Sequence, residues 1–258
     1  MKYAVASIND EKYSAFLERA SAAFGTTIDF ERQNVTPETL PEAYPLPGWW
    51  EAPADRWALT AALMTALDHA AAEGKNLCWF EDDALFVDDF KARFNDFVAA
   101  LPEDWDMAYL GGQLIAAHLY PLKESAASEL IAESKNVHRF HAALFRKECI
   151  PRILTWFQEP YWAGPQTCDW RIGYLQMQDD FHTYIPRAGW LCGQKGGVSQ
   201  LDNIEYPDRW WHFNEPEATE EKARWEAFAA AKKEQEERAR FEAWKAEMEA
   251  KRKQESQG

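Results

Sequence analysis

The stretch Leu77-Cys78-Trp79-Phe80-Glu81-Asp82-Asp83 decides how this chain is read. Four consecutive apolar residues without a polar alternate make a compact strand buried on both faces. The three carboxylates that follow stand at the carboxyl end of that strand, where α/β sheets hold their ligands. Adjacent negative charges repel one another, and a hard divalent cation with oxygen ligands relieves the repulsion. Glu81, Asp82 and Asp83 are therefore candidate ligands for Mn²⁺ or Mg²⁺; a solvated acidic turn or a helix-capping cluster is the structural alternative.

Outward from this stretch, helical and extended patterns alternate. On the N-terminal side, Trp57, Ala61, Met64, Leu67 and Ala71 recur on one helical face from Arg56 until Gly74. Earlier, Tyr3 to Ile8 reads as a short strand, Tyr13, Phe16, Leu17, Ala20 and Phe24 as a helix ended by Gly25, and Thr27 to Phe30 as a second strand. Residues 34–55, rich in Pro, Glu and Trp and without a period, predict a long ordered loop near a site. On the C-terminal side, Phe90, Phe94, Phe97, Val98 and Leu101 mark a helix with Asp88 as N-cap, and Met107 to Leu110 a strand closed by Gly111-Gly112. Gln113 to Val137 reads as a helix between loops. Phe140 to Phe145 then predicts a strand, and Cys149, Ile150, Ile153, Leu154 and Phe157 a helix. Asp169 opens a helix through Trp170, Tyr174 and Met177, and Thr183 to Ile185 forms a late strand before Pro186. The alternation predicts an α/β protein with a mainly parallel sheet covered by helices on both faces.

The 258 residues, 47% of them hydrophobic, suffice for one substantial domain. A net charge of −15 repels phosphate backbones and argues against a general nucleic-acid binder, whereas an acidic enzyme still binds a nucleotide through a divalent cation. Cys78, Cys149, Cys168 and Cys192 form no C-x-x-C pair, which argues against a zinc ribbon or a disulfide framework. No apolar run approaches the roughly 20 residues that span a bilayer, and Tyr3 to Ile8 is too short for a signal peptide; a soluble cytoplasmic protein is expected. Composition changes after about Glu215. Residues 215–258 carry 12 acidic and 10 basic side chains, so the charge imbalance belongs to residues 1–214. This division predicts a catalytic domain over 1–214 and a charged amphipathic helical tail over 215–258. The tail's Trp225, Phe228, Phe241, Trp244 and Met248 lie at helical spacing and need burial, on the domain or in self-association with a second copy.

The segment Leu77 to Ala84, preceded by a helix, resembles the "ILEDD" region of the family 25 glycosyltransferases, which include lipopolysaccharide and collagen galactosyltransferase domains. Asp104-Trp105-Asp106-Met107-Ala108-Tyr109-Leu110-Gly111 resembles that family's "WD…LG" strand. Looser matches are His141 to Phe145 for its "AY-hydrophobic" strand, Asp169 for a later acid, and Pro186, Gln194 and Ser199 for a "P…Q…S" ending. Together they run in order over about residues 3 to 204. The resemblance implies a Rossmann-like GT-A fold, a nucleotide-sugar donor with UDP as carrier, a divalent metal and inversion at the anomeric carbon. Two places depart from the pattern. Ser7-Ile8-Asn9 stands where an Arg usually follows the first strand, and Arg56-Trp57-Ala58-Leu59-Thr60 where the family has a Ser-His pair; Ser7, Asn9, Arg56 and Thr60 are the donor-contact candidates at those places.

Direct displacement at an anomeric carbon needs a base for the acceptor hydroxyl, and Asp169, set by a helix N-terminus, is the candidate, with Asp179 and Asp180 as alternates. A simple N-cap is the structural alternative for Asp169. Gly111 and Gly112 either admit the donor close to the backbone or end a strand. Gln194 and Ser199, in a glycine-rich loop with Lys195, are candidates to fold over the diphosphate. Histidines 69, 118, 138, 141, 182 and 212 form no H-x-x-x-H pair and read as structural, except that His212, after Trp210-Trp211, is a candidate metal or phosphate ligand. Of the 13 tryptophans, Trp49-Trp50, Trp162, Trp190 and Trp210-Trp211 fall in loops, where they either pack the core or stack on a sugar.

The expected function is transfer of a hexose from a nucleotide donor, UDP-hexose by resemblance, to an acceptor hydroxyl, most simply on a bacterial surface glycan such as lipopolysaccharide. Two alternatives stand beside it. One is a phage-type enzyme acting on a modified DNA base or a protein, with nucleic acid entering only as acceptor; the other is a catalytically inactive GT-A-fold binding or scaffold module.

Overall fold

The structure is a computed structural model, and it describes residues 1–117, 119–160, 167–198 and 205–211, together with residues 230, 234, 238, 241 and 245. The chain divides into two compact units, Met1–Glu215 and Pro216–Gly258. In the second, Ala230, Glu234, Arg238, Phe241 and Lys245 are helical and exposed. The other aromatic and methionine positions expected on the tail, Trp225, Phe228, Trp244 and Met248, lie outside the described residues. No described helix is long and apolar enough to cross a membrane.

In chain order the first unit contains β1 (Lys2–Ala6), α1 (Asp10–Phe24), β2 (Phe30–Gln33), α2 (Ala54–Ala72), β3 (Leu77–Glu81), β4 (Ala84–Phe86), α3 (Phe90–Ala100) and β5 (Met107–Leu114). It continues with β6 (Lys123–Glu124), β7 (Ile131–Glu133), β8 (Val137–Phe145), α4 (Ile150–Gln158), α5 (Cys168–Gln176), β9 (Thr183–Pro186), β10 (Cys192–Gln194), β11 (Gly197–Val198) and β12 (Glu205–Tyr206). Eight strands form one sheet in the order β2-β1-β3-β8-β5-β9-β7-β6. β1 runs parallel to β2 and β3, and β5 parallel to β9. β8 is antiparallel to both of its neighbours, β3 and β5, and β7 is antiparallel to β9 and β6. The strands β2, β1 and β3 are thus mutually parallel, and the rest of the sheet is mixed. A parallel neighbour requires a crossover, usually a helix, whereas an antiparallel one can be reached by a loop or hairpin. The described residues between β5 and β8 carry the strands β6 and β7 in place of the expected helix, and β8 accordingly returns antiparallel to β5.

Strand alternation sends Trp79, Met107, Tyr109, Ala143 and Phe145 to one face, packed with Trp57, Leu63 and Leu67 of α2, Ile153 of α4 and Leu175 of α5. Val5, Cys78, Phe80, Leu110 and Leu144 point to the other and meet Phe16 and Phe24 of α1 and Phe90, Phe94 and Phe97 of α3. Each fully buried Phe or Leu contributes about 1.5–3 kcal/mol relative to exposure. Burial of both faces is why Leu77 to Phe80 carries no polar alternation. The result is a mixed α/β architecture with helices on both faces of the sheet, compatible with a Rossmann-like GT-A fold.

Local chemistry sets the element ends. Asn9 caps α1, its Oδ1 accepting from Lys12 N at 2.9 Å, and Gly25 stops it in the left-handed region at φ 64°. α3 begins after Asp89, one residue later than the expected cap Asp88, and without a side-chain cap bond. β2 begins at Phe30, where the Thr27 to Phe30 strand was expected to end. β5 runs through Gly111-Gly112 to Leu114 where a closing turn was expected, its register with β8 shifting at the glycines.

Candidate active site

β3 ends at Glu81, and the chain turns through Asp82-Asp83 into β4. The turn is held from three sides. From β1, Ala6 O accepts from Asp82 N at 3.1 Å, and the Ser7 hydroxyl donates to Asp82 Oδ2 at 2.6 Å. From α1, Arg19 donates to the carbonyls of Asp82 at 2.7 Å and Ala84 at 3.2 Å. From β10, which pairs antiparallel with β4, Gln194 Nε2 donates to Asp83 Oδ2 at 2.8 Å and Lys195 N to Asp83 O at 2.6 Å. The remaining carboxylate oxygen, Asp83 Oδ1, is buried without a hydrogen-bond partner among the described residues. An unpaired buried acceptor of this kind is costly.

The fourth carboxylate arrives from far along the chain. Asp169 lies in the first turn of α5, where its Oδ1 accepts from Trp170 N at 3.0 Å and from the Thr167 hydroxyl. Its Oδ2 lies 3.9 Å from Nδ1 of buried His138 on β8. Burial raises the Asp169 carboxyl, but His138, the Thr167 hydroxyl, Arg139 and Trp170 N together outweigh burial and hold it below the ordinary range. Burial pushes the His138 imidazole down to about 4 against the opposing pull of Asp169. At neutral pH the pair is a carboxylate beside a neutral imidazole.

The electrostatics join the two groups. Burial, then Asp83, Asp169 and Asp82, raise the Glu81 carboxyl well above its usual range. Asp83 is pushed up to about 6, first by burial and then by Asp82, with Gln194 and Lys12 opposing. Carboxylates from β3, the following turn and α5 therefore share one acidic neighbourhood. Among the described residues, no three His, Cys, Asp or Glu side chains close into a ready-made metal cage.

The other candidates fall in several places. Ser7 and Gln194 reach the carboxylate turn directly, whereas Asn9 caps α1. Thr60 is fully buried in α2 and bonds back to Arg56 O at 2.9 Å. Arg56 lies in the first turn of the same helix. A Cβ on Gly111 would stand 2.3 Å from Cys192 O and 2.4 Å from His141 Nε2, and one on Gly112 2.7 Å from Val137 Cγ1. The protein's own atoms thus fill the space over both glycines. Asp180 pairs with Arg152 at 2.7 Å on the surface, and Asp179 is also exposed. Ser199, His212, His118 and Trp162 lie outside the described residues. Trp49 and Trp50 pack edge-on against Trp57 of α2, and Trp190 and Trp211 are buried.

Sequence reading gave no site role to Arg19, Asn136 or Arg139, and read His138, which faces Asp169, as structural. A polar group, His138-Arg139-x-His141, inside an otherwise apolar strand was the one available signal.

No family model matches the chain, and no curated protein matches it. Among solved structures, A197 from STIV superimposes with a TM-score of 0.40 at 11% identity, over 85% of this chain and 100% of that one. A glycosyltransferase involved in the glycosylation of the major capsid of PBCV-1 does so with a TM-score of 0.40 at 9% identity, over 74% and 96%. A putative glucose-1-phosphate thymidylyltransferase from Bacillus anthracis, in complex with a sucrose, gives 0.32 at 10% identity, over 74% and 69%. The likeness to family 25 is carried by the quoted motifs alone.

Proposed function

We propose that the protein is a divalent-cation-dependent, inverting glycosyltransferase that moves a sugar from a nucleoside diphosphate donor, UDP-hexose by resemblance, to an acceptor hydroxyl. The observation that carries this reading is the buried Asp83 Oδ1, unclaimed among the described residues, with Asp83, Asp82 and Asp169 all acting on the neighbouring Glu81 carboxyl. Mg²⁺-type sites commonly use one or two carboxylates completed by substrate phosphates in place of an all-protein cage, and the residues present fit that arrangement. Asp83 and Glu81 would hold the ion, with Asp82 fixed by Ser7 and Asp83 by Gln194. Bound there, Mn²⁺ or Mg²⁺ would supply positive charge against the diphosphate leaving group.

The chain's own residues account for the proton. Asp169, kept ionised by its hydrogen bonds and neighbours, accepts the proton of the acceptor hydroxyl as that oxygen bonds to the anomeric carbon. The bond to the diphosphate oxygen breaks, and its electron pair leaves with the nucleoside diphosphate. The resemblance favours a hydroxyl on a bacterial surface glycan as acceptor.

Thermal-shift screening of nucleotide sugars with Mn²⁺, paired with donor hydrolysis with and without EDTA, tests the reading. A melting temperature raised by one nucleotide sugar only when Mn²⁺ is present supports it by mass action. Hydrolysis indifferent to EDTA would remove the metal from the proposal, and no response to any nucleotide sugar would remove the transferase.

A further inference from the structure

We propose that Arg19 is a positioning residue for the carboxylate turn: a resident counter-cation that offsets the charge of Asp82 and Asp83 from the backbone side and leaves their oxygens open to an incoming cation. The proposal rests on the transferase reading only for the identity of that cation. Arg19 Nη2 donates to Asp82 O at 2.7 Å and Nε to Ala84 O at 3.2 Å. An arginine beside three consecutive acids would ordinarily pair with one of them through its fork. Here, among the described residues, both hydrogen bonds of the guanidinium go to carbonyls and none to a carboxylate. The carboxylate oxygens have neutral partners instead, the Ser7 hydroxyl on Asp82 Oδ2 and the Gln194 amide on Asp83 Oδ2.

The helix delivers this side chain to the turn. Phe16, three residues before Arg19 on α1, packs tilted against Phe80 of β3 and Phe86 of β4, with ring centroids 5.8 and 6.1 Å away. Residues three apart share a helical face, and Phe80 and Phe86 flank the turn in sequence. The contacts that seat α1 therefore also bring Arg19 to Asp82 and Ala84. A planar guanidinium reaches two carbonyls at once, which the single ammonium of a lysine does not reproduce. Asp83 O, between those two carbonyls, accepts from Lys195 N at 2.6 Å, so the backbone oxygens of residues 82–84 are all claimed.

The charges explain why the arrangement is useful. Neighbouring carboxylates repel, and the metal-free protein must still fold around them. Burial lowers the Arg19 guanidinium, and Asp83, Asp82, Asp208 and Glu18, in that order, pull it back up. That interaction is mutual: the acids that keep Arg19 charged are themselves made cheaper to ionise by it. A direct ion pair would cancel more charge and occupy the oxygens a cation needs. An offset held through carbonyls cancels part of the charge and leaves Asp83 Oδ1 unclaimed among the described residues.

The test is a double-mutant cycle on the melting temperature of the full chain in EDTA at pH 8, with D83N introduced into wild type, R19K and R19M. R19K keeps the charge and loses the fork, whereas R19M loses both. D83N is expected to raise the melting temperature in every background, and by about 2–4 °C more in R19M than in R19K, because the repulsion it removes is no longer offset. Equal gains in R19M and R19K would show that Arg19 only braces the backbone and would overturn the counter-cation. If R19M fails to fold, folding restored by D83N supports the proposal and folding not restored overturns it. Mn²⁺ alone, titrated into the same proteins and followed by the paramagnetic resonance of the free ion, gives a second reading. R19M should bind it more tightly than R19K, since one cation takes over from the other; the opposite order counts against the proposal. A coupled cycle in a protein that binds no Mn²⁺ leaves the counter-cation standing and removes the metal from the transferase reading. Mn²⁺ binding that D83N abolishes, with no coupling in the cycle, does the reverse.

Discussion

Asp169 Oδ2 faces His138 Nδ1 at 3.9 Å, and the orientation of that imidazole is set by a residue two positions earlier. Asn136 Nδ2 donates to Ile115 O at 2.8 Å, which leaves its Oδ1 as an acceptor 2.9 Å from His138 Nε2. Nε2 and Asn136 Oδ1 are thus hydrogen-bond partners, and Nδ1 is the ring nitrogen that faces the carboxylate. Asn136 reaches this position at φ 64°, a backbone region that Asn tolerates better than most residues. The result is an ionised Asp169 beside a neutral ring, both held by partners outside the reaction.

Asp169→Asn keeps an oxygen to accept from Thr167 and Trp170 N but cannot take up a proton at neutral pH. Turnover is expected to fall on the order of 10²-fold or more, with donor affinity little changed. Steady-state kinetics beside a donor-binding titration checks this, and wild-type turnover would take Asp169 out of the mechanism.

Gly173→Ala probes the fit of α5 over the imidazole. An added Cβ would stand 2.8 Å from His138 Nε2 and 3.3 Å from Asn136 Oδ1. The helix-propensity gain of about 1 kcal/mol is set against an overpacking cost of about 1–3 kcal/mol in a buried, hydrogen-bonded place. Urea unfolding should show net destabilisation and a loss of activity larger than the stability change explains; a stabilised, fully active variant would contradict the packing described.

Asp83→Asn tests the strain in the carboxylate turn. The folded state raises Asp83 from 3.8 to about 6, so the ionised form is disfavoured by folding. That group's contribution is fully present below its unfolded value and is lost as pH rises through about 6. The metal-free protein should therefore gain melting temperature from this group as pH drops from 7 toward 5. The Asn variant, which can still accept from Gln194, should melt higher at pH 7, lose that part of the pH dependence and no longer respond to Mn²⁺ with donor. Equal pH slopes for the two proteins would refute the assignment.

Truncation after Glu215 removes the second compact unit. Donor hydrolysis by the folded truncate is expected to stay within a few-fold of the full chain. A well-folded truncate without donor binding would show that residues 216–258 complete the site.

Local chemistry alone made the central elements legible. Leu77 to Phe80 read as a compact buried strand, Phe16, Ala20 and Phe24 recurred at helical spacing, and three acids at a strand's end marked where charge would collect. Those inferences need only side-chain period and neighbours a few residues apart. The direction of β8, the strands β6 and β7, and the filled space over Gly111 and Gly112 were not legible, because pairing partners depend on how the chain returns and on what packs above it. The same holds for the site beyond its first three acids. Gln194 meets Asp83 across a separation of 111 residues, and Asp169 meets His138 only because α5 packs on β8. Both meetings are decided by tertiary packing, which brings together side chains that no local interaction relates.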